Sequence, residues 1–236
     1  MEDKALPVTG HLAELRIHII KSVVCILGCA VVLYNFSGQL VSFLARPVGQ
    51  LVFITPTEAF VTNIKIALWG GLFISSPYVI YQIWQFVAAA LKRQEKKYIF
   101  LFGPVSFIFF VLGGLFGFFV VVPVGITFLL HFATDIVHPM ISVSHYISFI
   151  GILIFAFGLV FQLPLVLLFL TKMGMVTPQI LGQKRRVAIV LMFICAAAIT
   201  PPDVVTQVSL AIPLLLLYEL GILFSKLAYS PTRDKV

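Results

Sequence analysis

Long apolar runs separated by short polar stretches dominate the chain. Six runs stand out, at about 17–38, 60–88, 98–125, 146–171, 187–200 and 204–225. They are continuous, where a membrane barrel would show alternating segments of about ten residues. A membrane-spanning helix needs about 20 apolar residues. The pattern therefore predicts an all-α bundle of six transmembrane helices. The fifth run is the outlier: about fourteen residues between Arg186 and Pro201 make roughly 21 Å of helix, against a hydrocarbon core of about 30 Å. Such a helix is either shielded by its neighbours or thins the bilayer locally.

Turn residues punctuate these runs. Thr200-Pro201-Pro202-Asp203 has the form of a helix start, with Thr200 as N-cap and Asp203 at the third position. It predicts a minimal hairpin between spans five and six. Pro77, Pro164 and Pro213 lie inside runs, and Gly103-Pro104 falls early in the third. In-span prolines are tolerated where neighbouring helices satisfy the freed carbonyls. Gly113, Gly114 and Gly117 contain a G-x-x-x-G spacing, a surface suited to close helix contact.

Composition agrees with the pattern. Of 236 residues, 61% are hydrophobic and 11% charged, where soluble domains run roughly 45–50% apolar and about 25% charged. That excludes a soluble catalytic domain and predicts one transmembrane domain over residues 1–236. The first run is longer than the roughly 7–15 residues of a signal-peptide core, so it reads as a span and not as a cleavable signal.

The net charge of +7 is read as topology, not as a nucleic-acid surface. Basic residues cluster at Lys4, Arg16 and Lys21, at Lys92, Arg93, Lys96 and Lys97, at Lys172 and Lys184 to Arg186, and at Lys226, Arg233 and Lys235. Of the 16 Lys and Arg residues, only Arg46 and Lys65 fall on or near the other side. The positive-inside rule then places both termini in the cytoplasm, with cytoplasmic segments 1–16, 89–97, 172–186 and 226–236.

Candidate chemistry is sparse. There is no G-x-x-x-x-G-K-[ST] loop, no G-x-S-x-G and no H-E-x-x-H, so neither nucleotide hydrolysis nor another enzymatic activity is expected. Cys25, Cys29 and Cys195 sit in apolar runs and read as packing residues. His131, His138 and His145 beside Asp135, and His11, Glu14 and His18 on one helical face, are the only metal-like groupings; no metal and no cofactor is expected. Glu14 and Glu95 carry more interest, because each sits in a basic segment. Either could form a solvated ion pair worth about 0–1 kcal/mol. Alternatively, a carboxylate captures a guanidinium through two parallel hydrogen bonds, which an ammonium cannot imitate. Inside the runs the polar groups are Lys65, placed to snorkel outward, with Gln162, Gln207 and Glu219; a buried amide such as that of Gln162 requires partners.

His11-Leu12-Ala13-Glu14-Leu15-Arg16 resembles the N-terminal H-L-x-E-L-R signature of the TatC family, the receptor subunits of the twin-arginine protein translocase. The resemblance continues through Ser76 to Phe86, the loop with Glu95, Ala156-Phe157-Gly158 with Phe161 to Pro164, and Thr200 to Asp203 through Pro213. It implies a cupped six-helix receptor in the bacterial inner membrane that binds twin-arginine signal peptides of folded precursor proteins. Carried onto this chain, it implies Glu14, Glu95, Phe86 and Arg16 as the signal-peptide site. Thr200 and Gln207 would dock TatA- and TatB-type single-span subunits, and Pro47 and Asp203 would be functional outer-face positions. Further copies of the chain in the complex, the lipid bilayer as surroundings, no nucleic acid, and transport driven by the proton-motive force are also implied. Two positions depart from the family pattern: Ala89 stands where proline is common, and Gln162 replaces a carboxylate in span four. The class-distinct alternative is a secondary transporter of a small solute, although such folds usually show paired repeats and none is visible here.

Overall fold

Backbone polar groups cannot be left unpaired in hydrocarbon, and a helix satisfies them within one segment. The structure, a computed structural model, describes residues 8–48, 51–89, 91, 99–130, 140–199 and 204–229. Its helices are α1 (Val8–Tyr34), α2 (Ser37–Leu44), α3 (Glu58–Ala89), α4 (Ile99–Phe116), α5 (Val122–Leu130), α6 (Val143–Val160), α7 (Leu163–Lys172), α8 (Pro178–Gln183), α9 (Arg185–Ile199) and α10 (Val204–Ala228). A π-helical stretch, Gly117–Val121, joins α4 to α5, and Phe161 and Gln162 form a turn between α6 and α7. The all-α expectation holds. Five stretches are long and apolar enough to cross a membrane: Leu12–Tyr34, Glu58–Ala89, Ile99–Phe128, Val143–Lys172 and Leu210–Ala228. The short fifth run is α9, a helix of 15 residues.

Boundaries differ from the expected ones in instructive ways. The N-terminal arm and the first span are one continuous helix from Val8, because no Gly, Pro or capping pair interrupts residues 11–27. Helices α2 and α8 were not anticipated; both are too short to produce a periodic signal of their own. The cap at Thr200–Asp203 lies outside the described residues.

The chain forms two compact units. The first comprises Met1–Phe107 with Ile141–Ser148. Here α1 packs along α3 at close range: a Cβ on Gly71 would lie 2.8 Å from the Ala30 amide nitrogen and 2.9 Å from its Cα. Leu44, Val52 and Glu58 are fastened to residues 141–146. Val52 donates its amide to Ile141 and accepts from Val143, each at 3.1 Å, and the Tyr146 hydroxyl donates to the Leu44 carbonyl at 2.8 Å.

Glu58 is the hub of this fastening. Its Oε2 accepts from the amides of Ile54 at 2.7 Å and Thr55 at 3.4 Å. Its Oε1 accepts the Ser144 amide at 3.0 Å and the Ser142 hydroxyl. One carboxylate at the start of α3 thus serves both the connection leading into that helix and the first turn of α6, whose early amides lack intrahelical partners. Lys65 does more than snorkel: its Nζ donates to Ser144 Oγ at 2.6 Å.

The second unit comprises Ile108–Met140 with Phe149–Val236. The Gly113 and Gly117 surface is occupied by α6 of the same chain. A Cβ on Gly113 would meet the Phe157 carbonyl oxygen at 2.4 Å, and one on Gly117 would meet Ile154 Cα at 3.2 Å. Phe116 lies 5.6 Å, ring to ring, from both Phe157 and Phe161. Helix α10 packs on α7, where Thr171 Oγ1 and Ser225 Oγ are 2.6 Å apart and buried. Of the three cysteines read as packing residues, Cys25 and Cys29 are half-buried, whereas Cys195 is exposed on α9.

Candidate functional site

In the first unit a cavity of about 830 Å³ opens between α1, the C-terminal part of α3 and the first turns of α4. That falls within the roughly 300–1,000 Å³ of small-ligand sites. The sequence creates the space by substituting small and ring-closed residues where helices would otherwise meet: Ala88 and Ala89 on α3, Gly103 and Pro104 on α4, all lining it. A Cβ on Gly103 would meet nothing within 4 Å.

From α1 the cavity receives Glu14, His18 and Lys21, which a 3.6-residue period stacks on one face. Opposite stand Trp84, Phe100 and Phe107. Glu14 is half-buried. His18 Nδ1 lies 2.5 Å from Gln82 Oε1; an amide oxygen only accepts, so Nδ1 carries the proton in this arrangement. Gln82 is 5% exposed, which makes it a rigid support for the imidazole. The same ring stands edge-on to Phe86, with centroids 6.3 Å apart. Trp84 is fixed by Nε1–H donation to Ser106 Oγ at 2.8 Å and by stacking on Phe102 at 5.4 Å. The result is a concave, mostly apolar site with one carboxylate and one lysine at its α1 wall.

The expected site residues distribute as follows. Glu14 lines the cavity, and Phe86 approaches it through His18. Arg16 is exposed and does not line it. Glu95 lies outside the described residues, as do Thr200 and Asp203. Pro47 is exposed in the turn after α2. In the second unit Gln162 is half-buried in the α6–α7 turn, and Gln207 donates its amide to the Phe193 carbonyl at 3.1 Å, which ties α10 to α9. Glu219 pairs with Arg185 at 2.8 Å. Among the described residues no three His, Cys, Asp or Glu side chains are grouped to hold a metal; His131, Asp135 and His138 lie outside them.

The model of the family described as Sec-independent protein translocase protein (TatC) matches residues 10–213. The chain belongs to the TatC family. TatC of Carboxydothermus hydrogenoformans is 43% identical over 231 residues, covering 96% of this chain and 95% of the relative. TatC of Aquifex aeolicus is 40% identical over 238 residues and covers 98% of each. A crystal structure of the twin arginine translocase receptor TatC superposes with a TM-score of 0.83 at 40% identity, covering 92% of this chain and 99% of that one. This member of the family is therefore a membrane-embedded component of a protein translocase, and the solute-transporter alternative is set aside.

Two residues of the candidate site, His18 and Trp84, and Glu58 outside it were not singled out in the sequence. His18 was placed on the face of Glu14, but its support by Gln82, 64 residues away, leaves no local signal. Trp84 was quoted only within a motif. Glu58 did carry one: Thr55-Pro56-Thr57-Glu58 has the Ser/Thr-x-x-Glu form of a capping box, and Glu58 reaches back to the Thr55 amide as that box predicts.

Proposed function

We infer that this chain is the receptor of a twin-arginine translocase and binds the signal peptides of folded precursor proteins in the cavity beside Glu14. The observation that carries the reading is the placement of Glu14 at the wall of a largely apolar cavity of about 830 Å³, in a family with a solved member that is a twin arginine translocase receptor. Guanidinium is the cation best matched to a carboxylate, through two parallel hydrogen bonds. Glu95 supplies the second carboxylate and Arg16 and Phe86 the border of the site. Trp84, Phe100 and Phe107 accept the apolar part of the peptide.

In this reading both termini and the cavity face the cytoplasm, supported by the distribution of Lys and Arg. TatA- and TatB-type single-span subunits dock along α9 and α10. The support there is α9, whose 15 residues make about 22 Å of helix and leave Val187, Val190, Leu191 and Ile194 exposed. Further copies assemble in the full complex, and the proton-motive force drives transport. Pro47, Thr200, Asp203 and Gln207 serve the outer face and the docking.

Binding of the full chain in detergent to a peptide carrying Arg-Arg, against its Lys-Lys version, tests the reading. The Arg-Arg peptide binds roughly tenfold to a hundredfold tighter, and Glu14→Gln/Glu95→Gln removes the difference. Equal affinities, or an unaffected double variant, overturn it.

A further inference from the structure

The second unit gathers cations at one end of four helices. Helix α7 ends on Lys172, α8 is followed by Lys184, α9 opens with Arg185 and Arg186, and α10 carries Lys226 in its last turn. Side-chain bonds tie these segments to α10. The Thr171 and Ser225 hydroxyls, 2.6 Å apart, set the next residues, Lys172 and Lys226, at the same height. The Tyr218 hydroxyl donates to the Leu181 carbonyl at 2.9 Å and pins α8 to α10 about two turns before Lys226. Glu219, the one carboxylate among the described residues of this unit, is taken by Arg185 at 2.8 Å. Lys184, Arg186 and Lys226 remain exposed.

Apolar side chains within a few residues of these cations stand exposed: Met175 at 70%, Ile180 at 47% and Leu227 at 79%. Helix α8 buries Pro178 and Leu181 and turns Ile180 outward, four residues before Lys184 and so on its side of the helix. A cluster of cations needs counter-charge, and large exposed apolar side chains need cover from water. A free phosphate or an acidic segment of protein supplies only the first. An anionic phospholipid supplies both in one molecule, a phosphate diester and acyl chains.

We propose that the α7–α10 end of the second unit is a binding surface for anionic phospholipid. Lys184, Arg186 and Lys226 hold headgroup phosphates of bound lipid, and Met175, Ile180 and Leu227 rest on the acyl chains. None of these residues lines the cavity of the first unit.

Native mass spectrometry of the full chain, released from bilayers of phosphatidylcholine doped with phosphatidylglycerol, reads the retained lipid. Phosphatidylglycerol is retained in clear excess over its share of the bilayer. Each of Lys184→Gln, Arg186→Gln and Lys226→Gln lowers that excess by up to about fivefold, and the triple variant abolishes it. Lys184→Arg/Lys226→Arg keeps it, and Arg46→Gln, in the first unit, leaves it unchanged. Ile180→Ser/Leu227→Ser lowers lipid retention without changing binding of inorganic phosphate. Retention in proportion to bilayer composition, a triple variant that folds and retains lipid as the wild type does, or competition by inorganic phosphate or a soluble acidic peptide as effective as by the lipid overturns the proposal.

Discussion

Single residues decide where this chain stores its few strong polar interactions. Glu58 accepts hydrogen bonds from both the first connection and the start of α6. Glu58→Ala leaves those amides without an acceptor, so thermal unfolding in detergent shifts down, and limited proteolysis cuts faster between residues 48 and 57. Glu58→Gln, which keeps an acceptor oxygen, falls in between. The Thr171–Ser225 pair is of another kind, neutral and buried between helices. A double-mutant cycle with Thr171→Val and Ser225→Ala should return a coupling of about 0.6 kcal/mol and below about 1.7 kcal/mol, since polar groups in a membrane find substitute partners even when unfolded. At this scale the sequence was partly legible. Glu14 announced itself by lying among cations, whereas Glu58 was overlooked although its capping box was in plain view.

Helices pack here through absent side chains as much as through present ones. Gly70 and Gly71 are neighbours with opposite expectations. A Cβ on Gly71 runs into the Ala30 backbone at 2.8–2.9 Å, while one on Gly70 meets the movable end of Leu33 at 2.8 Å. Gly71→Ala should therefore cost about 1–3 kcal/mol as α1 is pushed off α3, and Gly70→Ala clearly less, both read as thermal unfolding shifts. Gly113→Ala belongs with Gly71→Ala, because the atom it strikes is the Phe157 carbonyl oxygen at 2.4 Å. The G-x-x-x-G spacing foretold a close contact, and only the packing names its partner as α6. Hydropathy gave the long helices well, since a run of apolar residues has one stable form in lipid. It was blind to α2, α8 and the π-helical stretch at Gly117–Val121, whose causes lie in neighbours and not in period.

For the whole molecule, the test that joins fold to function is to fill the cavity. Gly103 faces open space, so Gly103→Leu should leave thermal unfolding near wild type, with a gain in helix propensity. Binding of the Arg-Arg peptide should fall roughly tenfold or more if the apolar part of the signal occupies that space. Unchanged binding would move the peptide elsewhere. By itself the sequence determined that this is a helical membrane protein of the TatC family, and it singled out Glu14. Span length, charge scarcity and motif order are properties of the linear chain, and the bilayer leaves few ways to satisfy them. The tertiary structure alone decided that Trp84 shares one cavity with Glu14 and His18, that Glu58 fastens two distant segments, and that α7, α8 and α9 bring their cations to α10. Those are contacts between residues tens of positions apart, set by which helix faces pack, and no local pattern in the chain encodes them.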